Sequence, residues 1–186
     1  MSREQLVVVL TLGFVLLKVV WLLTDNRSRK EQYKYYLSSD GLKIGIFTIL
    51  VLVLNIWSGL YFPLPNNGFN DIGLGFGWAL YIAGLGLAIW AKLTMKKSWG
   101  VPAQHKKEVQ SRLITGGPFK YTRNPIYLGF IMFLLGYGFL LQSYFTFLVL
   151  IVIWYFYKSA EKEEKLLEKH FGKEYLKYKQ NVPRFI

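Results

Sequence analysis

The sequence predicts an all-α fold: a polytopic membrane protein with five transmembrane helices, the last two forming a hairpin, and an amphipathic cytoplasmic tail helix. Three observations predict it. Five stretches are apolar, basic residues fall only in alternate connections, and a proline-broken loop opens the hairpin. Of 186 residues, 53% are hydrophobic and only 18% charged, which is too apolar for an ordinary soluble domain.

The apolar stretches are residues 6–23, 42–62, 74–93, 126–141 and 144–157. A bilayer-crossing helix needs about 20 apolar residues, and the first three stretches reach that length. The last two are shorter and are joined only by Gln142-Ser143, so they read as a tight hairpin extending into its flanks. Residues 6–23 lack a strongly basic leader and a small-residue cleavage site, and they read as a retained anchor.

Charge sets the expected orientation. Arg27, Arg29, Lys30 and Lys34 lie between the first two stretches, with Lys43 at the very start of the second, and the linker 63–73 has no basic residue. Eight basic residues follow between Lys92 and Arg123, none at the hairpin tip, and eight more after Tyr157. This alternation predicts an N-terminus outside and a cytoplasmic tail. The net charge of +12 is then juxtamembrane, suited to anionic membrane lipids rather than nucleic acid. Lys18, near the cytoplasmic end of the first stretch, can extend its amine to that surface.

No internal repeat divides the chain, so one membrane domain is expected: three spans over 1–95, a cytoplasmic loop over 96–125, the hairpin over 126–157 and the tail over 158–186. The loop 26–40 is polar, and Pro63-Leu64-Pro65-Asn66-Asn67-Gly68 reads as an external turn. In the third stretch Gly75, Ala79 and Ala83 recur every four residues, as do Gly84 and Ala88, a spacing that lets helices approach closely. In the tail, Leu167, Phe171, Tyr175 and Tyr178 form one apolar helical face.

Chemistry concentrates at two places. Gly116-Gly117-Pro118 and Asn124-Pro125 are turn signals, and the backbone between them should be non-helical, with amides free to meet a ligand. Pro125 suits the first position of the next helix. Glu161, Glu163 and Glu164 leave the hairpin on its far side and return towards that loop. Glu161 can pair with Lys165, whereas Glu164 and Glu168 are like charges at helical spacing. The solvated helix face is the plain reading of these carboxylates; binding ribose hydroxyls or a ligand amino group is the sharper one. His105 and His170 have no metal-ligand spacing, so no metal is expected. With no cysteine, thiolate zinc sites, disulfides and cysteine nucleophiles are excluded.

These residues resemble a known family. The runs Leu113–Phe119 and Arg123–Gly129, the pair Glu163-Glu164, Phe171-Gly172, Glu174-Tyr175, Tyr178 and Val182-Pro183 are similar to the isoprenylcysteine carboxyl methyltransferases. Related bacterial and archaeal membrane methyltransferases, phospholipid N-methyltransferases among them, share much of this pattern, which covers about residues 99–185. The resemblance implies S-adenosylmethionine as methyl donor, S-adenosylhomocysteine as product, and a lipid-linked or hydrophobic acceptor entering from the bilayer. It implies cofactor contacts at Gln104, Ser111, Arg112, Leu113, Ile114 and Phe119, continuing through Asn124, Pro125, Ile126, Tyr127 and Glu163. Arg123, Glu163 and Arg184 are the expected catalytic residues, and Lys158, Lys162 and Arg184 the expected substrate contacts. Two positions depart from the family: Asn124 stands where histidine is usual, and Ser159 where eukaryotic members carry a substrate-binding arginine. The expected acceptor is an isoprenylcysteine-like carboxylate. Phospholipid amines and small thiols are alternatives, as are an NADPH-dependent sterol-reductase-like enzyme and a non-catalytic member.

Overall fold

The computed structural model describes residues 2–24, 39–65, 70–95 and 112–185. Most of the polar loop 26–40, Asn66–Gly68 of the turn, and Gln104, His105 and Ser111 of the long loop lie outside the described residues. Among the described residues six α-helices follow in order: α1 (Arg3–Thr24), α2 (Ser39–Tyr61), α3 (Asn70–Met95), α4 (Pro125–Leu140), α5 (Val149–Phe171) and α6 (Lys173–Asn181). No strand occurs among the described residues. The helix α1 and residues 72–95 of α3 are long and apolar enough to cross a membrane. The apolar part of α2 (45–61) and all of α4 are shorter; the 16 residues of α4 rise about 24 Å.

Helix ends alternate between the two ends of the bundle. At one end Arg3 of α1 donates to Gly59 O (2.7 Å) near the end of α2 and to Gln142 Oε1 (2.9 Å) just past α4. At the other, Trp21 of α1 packs on Phe130 near the start of α4, and Lys92 near the end of α3 lies over the Trp21 ring. The outward faces are apolar: Val8, Leu12, Val15 and Val19 on α1 and Ile46, Ile49 and Val53 on α2 are all exposed. Such a surface suits an apolar medium.

The α3–α4 seam holds the bundle. Gly77, Tyr81, Gly84, Ala88 and Ala91 are buried along α3, and Gly129 and Gly136 answer from α4. A Cβ on Gly129 would sit 2.7 Å from Ala88 N and 2.8 Å from Gly84 O. Backbones this close leave no room for side chains. The expected stripe Gly75-Ala79-Ala83 is not the seam: all three are exposed. A strict four-residue step drifts around a helix, whereas the buried set advances by four and three and stays on one side. Gly84 and Ala88 fall where the sequence put them.

The second arm of the hairpin also differs from expectation. It opens as a 3-10 turn (Tyr144–Leu148) whose first amides are capped by Ser143 Oγ accepting from Phe145 N (3.1 Å). It then runs as one 23-residue helix through Phe171, so nothing separates hairpin from tail at residue 158. The break comes at Gly172, where φ is +54° and a side chain would be strained. The apolar face Leu167-Phe171-Tyr175-Tyr178 is therefore divided between α5 and α6.

Gly84→Ala and Gly136→Ala each put a methyl group against backbone of the facing helix, at Phe133 and Gly129 or at Tyr81 and Gly77. Each is expected to lower stability by about 1–3 kcal/mol in detergent unfolding. Gly75→Ala, with nothing within 4 Å, is expected to be neutral or slightly stabilising.

Candidate functional site

The Gly116–Asn124 segment is irregular for reasons written in its residues. Gly117 has φ +58°, and a Cβ there would sit 2.8 Å from Thr94 Oγ1 at the end of α3. Pro118 then starts a 3-10 turn (Gly117–Lys120), and Pro125 starts α4 after Asn124 has left helical geometry (φ −127°, ψ 55°). Between the two prolines the segment lies against the tail. Arg123 N donates to Pro183 O (2.9 Å). Thr122 Oγ1 (3.0 Å) and Asn124 Nδ2 (3.1 Å) both donate to Arg184 O. Tyr178 Oη donates to Phe119 O at 2.6 Å.

Glu164 is the electrostatic centre of this junction. It is 3% exposed, and the guanidinium of Arg123 reaches both its oxygens at 3.2 and 3.3 Å. Arg184 makes the other two contacts, Nε to Oε1 at 2.8 Å and NH2 to Oε2 at 3.1 Å. Hydrogen bonding to Glu164 raises the pKa of Arg184 further, so that guanidinium stays charged. Arg123 also donates to Lys179 O (2.9 Å), and Arg184 lies over the Tyr157 ring. Glu161 pairs with Lys158 at 3.1 Å and lies 3.7 Å from Arg184, rather than pairing with Lys165. The Lys158 hydrogen bond is the main cause of its lowered pKa.

One turn of contacts away, Glu163 faces the start of α4. Tyr127 Oη donates to Glu163 Oε2 at 3.0 Å, and the Tyr127 ring stacks on Phe156 with centroids 4.9 Å apart. Beside this pair opens a small cleft. Met95, Leu113, Ile114 and Leu167 give it apolar walls, and Phe119, Tyr175 and Tyr178 aromatic ones. Arg123, Asn124, Glu163 and Glu164 supply its polar groups.

The structure thus brings Leu113, Ile114, Phe119, Arg123, Asn124 and Glu163 to one cleft. Pro125, Ile126 and Tyr127 are buried directly behind it, and Arg184 joins through Glu164. Arg112, Lys158 and Lys162 are exposed and do not line it. Gln104 and Ser111 lie outside the described residues. Sequence reasoning treated Glu164 as half of a like-charge pair and Tyr175 as one position on an apolar face. A like-charge i,i+4 pair needs compensating cations from elsewhere in the fold, and that was the available signal for Glu164.

Tyr175 has a feature that no pattern could show. Its hydroxyl is buried without a hydrogen-bond partner, as is the Nε of Arg123. A buried hydroxyl left unpaired costs about 1–3 kcal/mol. Burial, then the nearby Glu164, push the Tyr175 phenol well above its usual pKa, so it remains an O–H donor. Burial likewise pushes Tyr178 up to about 12.

The chain is similar to several known proteins. Protein-S-isoprenylcysteine O-methyltransferase B of Arabidopsis thaliana is 30% identical over 110 residues, which are 58% of this chain and 56% of the relative. The Protein-S-isoprenylcysteine O-methyltransferases of Schizosaccharomyces pombe and Saccharomyces cerevisiae are each 35% identical, over 80 and 79 residues. Those matches cover 42% and 41% of this chain, and 34% and 33% of the relatives. The chain therefore spans about half the length of the plant relative it matches and about a third of the yeast ones. The phospholipid methyltransferase family model matches residues 72–174, which run from α3 through the cleft to the start of α6. With more than half of its length in that match, the chain belongs to the phospholipid methyltransferase family.

Proposed function

We propose that this protein is a membrane-embedded, S-adenosylmethionine-dependent methyltransferase whose acceptor is a lipid-linked or hydrophobic molecule, an isoprenylcysteine-like carboxylate above others. The observation that carries the reading is the apposition of the Asn124–Tyr127 turn and Glu163 at one cleft. The names of the plant and yeast relatives support the choice of acceptor. The reading includes five crossings, with the N-terminus outside and the cleft at the cytoplasmic face. Alternating helix ends and lipid-suited outer surfaces support it.

The residues present fit such a donor. Phe119 and Tyr178 offer flat walls to a base, Leu113 and Ile114 an apolar edge, and Glu163 an anionic contact. When bound, S-adenosylmethionine supplies an electrophilic methyl group on a sulfonium. Glu163, held by Tyr127, would bind the donor's hydroxyls or amine. The Glu164 clamp fixes the loop against the tail and so fixes the walls. Gln104, Ser111 and Arg112 would complete the binding from the long loop, and Lys158, Lys162 or Arg184 would meet the acceptor's charge. Both cleft glutamates are engaged, Glu163 with Tyr127 and Glu164 with two arginines, which suits an acceptor that arrives already anionic. Alignment and exclusion of water are then the protein's main contributions.

A second reading, a phospholipid amine acceptor, is favoured by the description of the family model. Transfer of a labelled methyl from S-adenosylmethionine to a panel of prenylcysteine, phospholipid and thiol acceptors separates the two. Labelling of the prenylcysteine compound is expected. Labelling of phospholipid alone selects the second reading, and no labelled product with any acceptor counts against both.

Glu163→Gln is expected to weaken S-adenosylhomocysteine binding about tenfold, the loss of one charged contact. The unfolding temperature should hold; calorimetry and thermal unfolding measure the two effects. Glu164→Ala leaves Arg123 and Arg184 uncompensated in a buried place. It is expected to lower stability by about 3–5 kcal/mol in denaturant titration.

A further inference from the structure

We infer that Tyr175 is a ligand-binding residue, its hydroxyl acting together with Arg123 Nε to donate to a neutral acceptor atom on the nucleoside of the methyl donor. The inference rests on the methyltransferase reading above and names a contact that the resemblance does not assign.

Three phenols come together here and only two have their hydroxyls engaged. Tyr127 donates to Glu163, and Tyr178 donates to Phe119 O. The Tyr175 side chain, 1% exposed, lines the same cleft with its oxygen buried and unpartnered. Arg123 spends its two terminal nitrogens on Glu164 and Lys179 O, which leaves a buried Nε–H in a side chain that also lines the cleft. Two orphaned donors at one cleft are satisfied together by a ligand that brings an acceptor. A folded protein tolerates such a deficit where binding removes it.

The electrostatics choose the acceptor. Two carboxylates, Glu163 and Glu164, already line the cleft beside Tyr175 and Arg123. A further carboxylate is disfavoured there, whereas a ring nitrogen or ribose oxygen carries no charge. The aromatic walls Phe119 and Tyr178 border the same space and suit a planar base.

The test uses the full chain purified in detergent, with calorimetry on two compounds. One is S-adenosylhomocysteine; the other is its decarboxylated analogue, S-adenosyl-3-thiopropylamine, which keeps nucleoside and amine but lacks the carboxylate. Tyr175→Phe removes one oxygen and keeps the ring. It is expected to weaken both compounds about fivefold to tenfold. The ligand-free unfolding temperature should stay level or rise, because an unsatisfied buried group has been removed. Unchanged affinities, or a lowered ligand-free unfolding temperature, overturn the inference by making the hydroxyl idle or structural. A loss confined to S-adenosylhomocysteine, or a decarboxylated compound that fails to bind the wild type, overturns the assignment to the nucleoside. Wild-type protein that binds neither compound defeats the methyltransferase reading itself, an outcome distinct from a failure of Tyr175 alone.

Discussion

The Glu164 carboxylate receives guanidinium groups from two parts of the chain that share no secondary structure. Arg123 comes from the loop before α4, and Arg184 from the segment after α6. An ion this deeply buried is tolerable only when fully paired, because desolvation otherwise exceeds any single attraction. Four hydrogen bonds on two oxygens meet that condition. The backbone bonds Arg123 N to Pro183 O and the side-chain bonds onto Arg184 O then follow from the same docking. The cleft has walls only because loop and tail are held together here.

The helical bundle supplies the other constraint. Glycines on α3 and α4 bring two backbones into contact along their length, which leaves the start of α4 immobile relative to the end of α3. Met95 and Ile126 meet in one cluster with Ala91 and Phe119, so the seam runs directly into the cleft floor. The continuous α5 transmits position in the same way. Phe156 stacks on Tyr127 inside the bundle, and two turns later Glu163 and Glu164 emerge on the same rigid helix. A flexible joint at residue 158 would have uncoupled the carboxylates from the hairpin.

Much of this is legible in the sequence. Hydrophobic runs mark the helices, because a membrane-length stretch of apolar residues has few alternatives. Pro118 and Pro125 mark the irregular loop, because a proline ring removes a donor and restricts its neighbour. The facing of that loop and Glu163 follows once the short hairpin is folded back. Three things were not legible. The seam register failed because Gly75, Ala79 and Ala83 satisfy a spacing rule as well as Gly77 and Gly84 do, and only the partner glycines decide. The break at Gly172 failed because apolar periodicity continues across it through Tyr175. The orphaned Tyr175 hydroxyl failed because satisfaction of a polar group is a property of three-dimensional neighbours, not of residue type.

Asn124 shows how a departure from a family pattern can be physically mild. An imidazole at that position can be charged, and an amide cannot, so the substitution looks like the loss of a catalytic cation. In the structure Asn124 is 8% exposed, and its Nδ2 donates to the carbonyl of Arg184. A neutral donor suffices for that bond, and the amide supplies it in every protonation state, whereas a histidine would do so only with the appropriate ring nitrogen protonated. Positive charge is already provided beside it by Arg123 and Arg184, both committed to Glu164. A third cation would add to charge that one carboxylate has to balance. The asparagine therefore keeps the docking of tail to loop while leaving the charge balance of the clamp undisturbed, and Glu163 remains the carboxylate that faces the turn.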